Sequence, residues 1–135
     1  MVILYGNLLE KNLAEYKSII VDNPIEKISR ITLNRPNKRN SLSANLRGEL
    51  FEVLENNDQD ENINATIIRG SGKAFSAGYD LTKDPEEKDP FYSAGGLGYW
   101  PRHVVDGCFK IWDLAKPVIA QVHGYCLAGG TELAQ

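Results

Sequence analysis

Lys116-Pro117-Val118-Ile119-Ala120-Gln121-Val122-His123-Gly124-Tyr125-Cys126-Leu127-Ala128-Gly129-Gly130-Thr131-Glu132-Leu133-Ala134 puts a strand, a glycine loop and a helix start into one short run. Pro117 cannot continue the helix predicted before it, where Val104, Cys108, Ile111, Trp112 and Ala115 recur at helical spacing. Val118–Val122 is an apolar run of the kind expected for a strand buried on both faces. Residues 123–130 read as a tight loop, and Thr131-Glu132-Leu133-Ala134-Gln135 as the first turns of a further helix.

The same pattern appears upstream. Ala65–Ile68 is a second short apolar strand, punctuated by Gly70-Ser71-Gly72 and followed by Ala77-Gly78-Tyr79. Before it, Lys17–Val21 and Ile28–Leu33 are β-branched runs, separated by Asp22–Lys27 with its Asn-Pro turn signal, and predict an antiparallel pair. Ser43 is an N-cap candidate for a helix carrying Leu46, Leu50, Val53 and Leu54 on one face. Strands alternating with helices imply an α/β layout with parallel pairing. Residues 82–103 differ from the rest, first charged and then aromatic and glycine-rich, and are expected to form a long loop that is either a functional lid or disordered.

Parallel strands deliver their loops to a common crevice at one edge of the sheet. Small residues at 77–78 and 128–130 let backbone approach a ligand closely, so main-chain N–H groups can converge on one carbonyl oxygen. Such an oxyanion hole loses about 3 kcal/mol of transition-state stabilisation when one donor is removed. Glu132, in the first turn of the following helix, is placed to serve as an acid or base. On the residues alone it serves equally as ordinary pairing with the helix dipole.

Other chemistries fit less well. His123 and Cys126 form an H-x-x-C pair, but with two histidines in the chain no convergent zinc set is expected. Gly70-Ser71-Gly72-Lys73 lacks the first glycine and the closing Ser/Thr of a phosphate loop. Ala74-Phe75-Ser76-Ala77-Gly78 approximates a nucleophile elbow, with Asp106 and His123 in the right chain order. A serine hydrolase using Ser76 is therefore the remote alternative, since no helix follows the serine directly.

The 135 residues carry 15 Lys and Arg against 18 Asp and Glu, a net charge of −3 that argues against nucleic-acid binding. The one basic cluster, Arg35, Lys38 and Arg39, suits a phosphorylated small molecule better than a duplex. Cys108 and Cys126 read as reduced packing residues. With no basic leader and no apolar run of membrane-span length, the chain is expected to be cytoplasmic and to bind no membrane.

Three ordered motifs resemble the crotonase (enoyl-CoA hydratase/isomerase) family. Leu33-Asn34-Arg35-Pro36 with Asn40-Ser41-Leu42 is similar to its first motif, and Ala74-Phe75-Ser76-Ala77-Gly78-Tyr79-Asp80-Leu81 to its first oxyanion segment. Lys116–Ala134 closely resembles its second. The resemblance implies a spiral of repeated ββα units and an acyl-coenzyme A thioester substrate, with coenzyme A as part of the substrate and no separate cofactor or metal. It assigns the thioester oxygen to the backbone N–H groups of Tyr79 and Gly129, and a catalytic role on water to Glu132. Coenzyme A would run past Ala74, Ala77 and Leu81, its phosphates near Arg35, Lys38 or Arg39. Phe91, Tyr92, Tyr99 and Trp100 become candidates to line the acyl pocket, with ordinary packing as their other reading. Ala128, where the family often has Gly, is expected to be a mild departure.

The resemblance also implies that residues 1–135 are the N-terminal portion of one acyl-CoA-binding domain, truncated before the second glutamate and the C-terminal helical region. The full-length protein would then be a homotrimer or hexamer hydrating a 2-enoyl-CoA. The alternative for the chain itself is a catalytically silent CoA-binding or assembly fragment.

Overall fold

The computed structural model describes residues 16–82, 85–86 and 99–135, with backbone alone at 99–103. Strand β1, Ile19–Ile25, pairs antiparallel with β2, Ile28–Leu33. The hairpin expected from the sequence is present, but its connection is shorter than the predicted Asp22–Lys27 loop. β1 runs on through Pro24, with an irregular register between Asp22 and Ile25. Because β1 is the edge of the sheet, the missing proline N–H costs no ladder bond. Lys27, at φ 61°, closes the turn, and Arg30 pairs with Asp22 across the two strands.

A single 3-10 turn, Pro36–Lys38, leads into helix α1, Ala44–Gln59. Ser43 caps it as its position predicts, its Oγ accepting the Leu46 N–H at 3.3 Å. The buried face holds the expected Leu46, Leu50, Val53 and Leu54, joined by Arg47 and Phe51. That face packs across β1, β2 and the next strand, Ala65–Gly70. Lys116 closes the far end of α1, its Nζ donating to the Asn57 and Asp60 carbonyls at 2.9 and 2.6 Å.

Strand β3, Ala65–Gly70, is parallel to β2, and β5, Val118–Gln121, is parallel to β3. The main sheet thus runs β1-β2-β3-β5. Two short strands, β4 (Ala74–Ser76) and β6 (Tyr125–Cys126), form a second parallel pair. Helix α2 covers Tyr99–Trp112, and α3 covers Gly129–Ala134. It begins earlier than the apolar spacing from Val104 suggests. Pro101 does not prevent this, because N–H groups in the first turn have no intrahelical acceptor.

In chain order the elements are β1β2α1, β3β4α2 and β5β6α3, which is the repeated ββα pattern the resemblance implies. The core of Ile19, Ile31, Leu33, Leu42, Leu46, Leu50, Ile68 and Phe75 lies between α1 and the sheets. Expectation and structure part at β5. Its residues alternate half-buried and exposed, with Ile119 51% accessible, where burial on both faces was expected. An apolar run states what a strand could bury, while its neighbours decide what it does bury. Trp112, read as part of the apolar face of α2, is exposed and stacks edge-on with Phe109. Both thiols are free and half-buried.

Candidate active site

The loops that follow β2 and β3 are tied to β4 by one side chain. Asn40 is fully buried and sits in the left-handed region at φ 53°, which Asn tolerates better than most residues. Its Oδ1 accepts the Arg35 N–H at 2.9 Å, and its Nδ2 donates to the Ser71 and Ala74 carbonyls, both at 2.8 Å. Ser76 Oγ donates to the Asn40 carbonyl at 2.8 Å and accepts the Gly78 N–H at 3.1 Å. The first motif therefore acts as a clamp on segment 71–78. Sequence reading named Asn40 only as a letter of that motif; its burial and its reach to Ala74 have no local signal.

Arg35 belongs to this framework. Its guanidinium lies 2.8 Å from Asp80 Oδ2 and donates to the Ser41 carbonyl at 2.6 Å. Burial alone would raise the Asp80 pKa. Hydrogen bonds from the Thr82 hydroxyl and N–H, with Arg35 beside it, outweigh that and hold the carboxyl well below the usual carboxylate range. Of the three basic candidates, Lys38 and Arg39 are the exposed ones. Arg39 lines an open groove with Lys73, Ala74 and Tyr125, and Lys73 is a cation that the sequence reading did not select. Ala77 is half-buried and donates its N–H to the Arg39 carbonyl at 2.9 Å, while Leu81 is exposed.

The two glycine loops meet. Gly78, at φ 94°, lies so close to the second loop that an added Cβ would stand 2.9 Å from the Ala128 Cβ and 3.1 Å from the Gly129 nitrogen. The seam is bonded as well, Leu127 N–H donating to the Ser76 carbonyl at 3.0 Å. As first residue of α3, Gly129 has an N–H with no acceptor inside the helix. Glycine is required at 129 for a further reason: a Cβ there would lie 2.4 to 3.0 Å from three atoms of the Tyr79 ring. The ring therefore rests on the first turn of α3.

Tyr79 and Glu132 line one cavity of about 30 Å³ with Leu42, Arg47, Cys108 and Gly129, room for about one water. The Tyr79 ring and the Glu132 carboxylate face the same cavity, and the Arg47 guanidinium lies 5.6 Å from the ring centroid. Burial, then the Glu132 carboxylate, push the phenol pKa up. The same two causes, in the same order, raise the Cys108 thiol. Tyr79, chosen from the sequence for its N–H, thus brings its side chain to the catalytic candidate as well. Chain order could not reveal that the two residues meet.

Phe91 and Tyr92 lie outside the described residues, and Tyr99 and Trp100 are described only as backbone of α2. The hydrolase alternative is corrected here. Ser76 is fully buried in β4 with both sides of its hydroxyl engaged, so it presents no nucleophile. His123 is exposed and sits 3.0 Å from the Gly72 carbonyl. Among the described residues no three His, Cys, Asp or Glu gather as a metal group. Within the same residues, no helix is long and apolar enough to cross a membrane.

The model of the Enoyl-CoA hydratase/isomerase family matches residues 25–135. The chain belongs to this family. Its relatives include the carnitinyl-CoA dehydratase of Citrobacter koseri, 43% identical over 108 residues that cover 79% of this chain and 39% of that protein. The mitochondrial Δ(3,5)-Δ(2,4)-dienoyl-CoA isomerase of Rattus norvegicus is 30% identical over 87% of this chain and 38% of its own length. Among solved structures, an enoyl-CoA hydratase/isomerase from Xanthobacter autotrophicus Py2 superposes with a TM-score of 0.72 at 36% identity, covering 87% of this chain and 43% of that one. This member of the enoyl-CoA hydratase/isomerase family therefore spans about two fifths of the length of the relatives it matches.

Proposed function

We propose that the crevice between the two glycine loops binds an acyl-coenzyme A thioester and belongs to a hydratase or isomerase acting on 2-enoyl-CoA. The observation that carries this reading is the contact of loop 77–79 with loop 127–129 beside Glu132. The N–H groups of Tyr79 and Gly129 donate to the thioester oxygen and stabilise the enolate that forms when a nucleophile adds to the double bond. Glu132 holds or deprotonates the water, for which the adjoining cavity has the volume. With Arg35 engaged by Asp80, the coenzyme A phosphates fall to Lys38 and Arg39, with Lys73 across the same groove. The adenine end runs past Ala74, Ala77 and Leu81. In the whole protein, Phe91, Tyr92, Tyr99 and Trp100 border the acyl group. The assembly is a trimer or hexamer in the cytoplasm.

A second reading has an observation of its own. Glu132 is the only carboxylate lining the cavity among the described residues, which favours a silent CoA-binding fragment for the chain by itself. Calorimetry with coenzyme A and a crotonyl-CoA hydration assay on the same sample separate the two. Turnover that falls at least about 100-fold in Glu132→Gln supports the enzyme reading. Unchanged turnover in the mutant removes Glu132 from the reaction. Binding without turnover supports the fragment, and no binding of coenzyme A or its thioesters overturns both.

A further inference from the structure

From the seat of its ring, we infer that the Tyr79 side chain sets the size of the acyl group this crevice accepts. The inference rests on the thioester-binding reading above. A site for a small ligand commonly offers several hundred Å³, whereas the cavity beside Glu132 offers about 30 Å³. The Tyr79 ring takes up part of that room, lying against Gly129 closely enough that even a methyl at 129 would strike it.

Two contacts hold the ring there. Gly129 supplies the floor beneath its Cδ2, Cε2 and Cζ atoms, and the buried Arg47 guanidinium stands over the ring, 5.6 Å from its centre, while Glu132 lines the same cavity. Arg47 is itself fixed, its Nε donating to the Ser43 carbonyl at 3.3 Å. The floor under the ring is the residue proposed to donate to the thioester oxygen, so the ring borders the first carbons of the acyl chain. Thin, unbranched acyl groups pass beside it, and branched or aromatic ones meet it.

Rejection of one methylene by a shaped pocket is worth about 10- to 200-fold. The test measures dissociation constants for two unreactive thioesters, butyryl-CoA and 3-phenylpropionyl-CoA, on the wild type, Tyr79→Phe and Tyr79→Ala. The wild type and Tyr79→Phe, which keeps the ring, should share a preference for butyryl-CoA. Tyr79→Ala should shift that preference at least tenfold toward the phenylpropionyl thioester. Tyr79→Leu replaces Tyr79→Ala if melting curves show the smaller side chain to be unfolded. An unchanged preference in the ringless variant overturns the inference while leaving thioester binding intact. Absence of binding by either thioester to the wild type overturns the reading beneath it as well.

Discussion

The first and third ββα units share an architecture and differ in what covers them. In the first, Ile31, Leu33, Leu46 and Leu50 are at most 1% accessible. In the third, Ile119, Val122, Tyr125 and Leu127 are all about half exposed or more. Both units carry apolar strands followed by polar loops. What separates them is position: β2 lies between β1 and β3 beneath α1, whereas β5 is the other edge of the sheet. Hydrophobic stabilisation follows area removed from water, not residue type. The first unit therefore gains more from burial than the third, and the third carries the candidate Glu132.

Leu50→Ala should break that contrast most severely. Leu50 is 1% accessible within α1, and truncation there should cost about 3 kcal/mol, measured as a fall in the urea midpoint. A loss below about 1 kcal/mol would mean that α1 is not where stability resides. Asp80→Asn should cost about 2 kcal/mol at neutral pH, because hydrogen bonds from Arg35 and Thr82 to a charged carboxylate are weakened together. The folded carboxyl titrates below its ordinary value of 3.8, so its contribution is complete above that range and is lost as pH falls below it. Melting curves of the wild type and Asp80→Asn should accordingly converge in acid, and a gap that persists there would refute the ion-pair account. Ile119→Thr should change stability by less than about 0.5 kcal/mol in this chain, since the residue it replaces is 51% exposed. A cost comparable to that of Leu50→Ala would show that β5 is covered in solution.

Local signals in the sequence identified the elements well. β-Branched runs and an Asn-Pro turn marked the hairpin, Ser43 marked the start of α1, and small residues marked both loops of the crevice. Local chemistry settles those features, and it is legible one segment at a time. Pairings between distant segments were not legible. Arg35 reads as a surface cation until Asp80 stands beside it, and Tyr79 reads as a backbone donor until its ring is found on Gly129. The expected burial of Val118–Val122 failed for the same reason, because burial is a property of neighbours. Glu132 was named from its motif, and the structure places it in the wall of the cavity beside Tyr79, while Phe91 and Tyr92 lie outside the described residues.

Ala128 was expected to be a mild replacement, and the structure corrects this. It stands at φ 46° and ψ −124°, a conformation suited to glycine, and an alanine held there costs of order 1 kcal/mol or more. Its methyl occupies the space that a methyl on Gly78 would need. A methyl on Gly78 would also stand 2.9 Å from the Leu127 carbonyl oxygen, so position 78 is closed to side chains whatever residue stands at 128. In evolutionary terms the tolerance of the seam is one-sided: position 128 has admitted a methyl at a cost in backbone strain, whereas position 78, with an unfavourable φ as well, admits none.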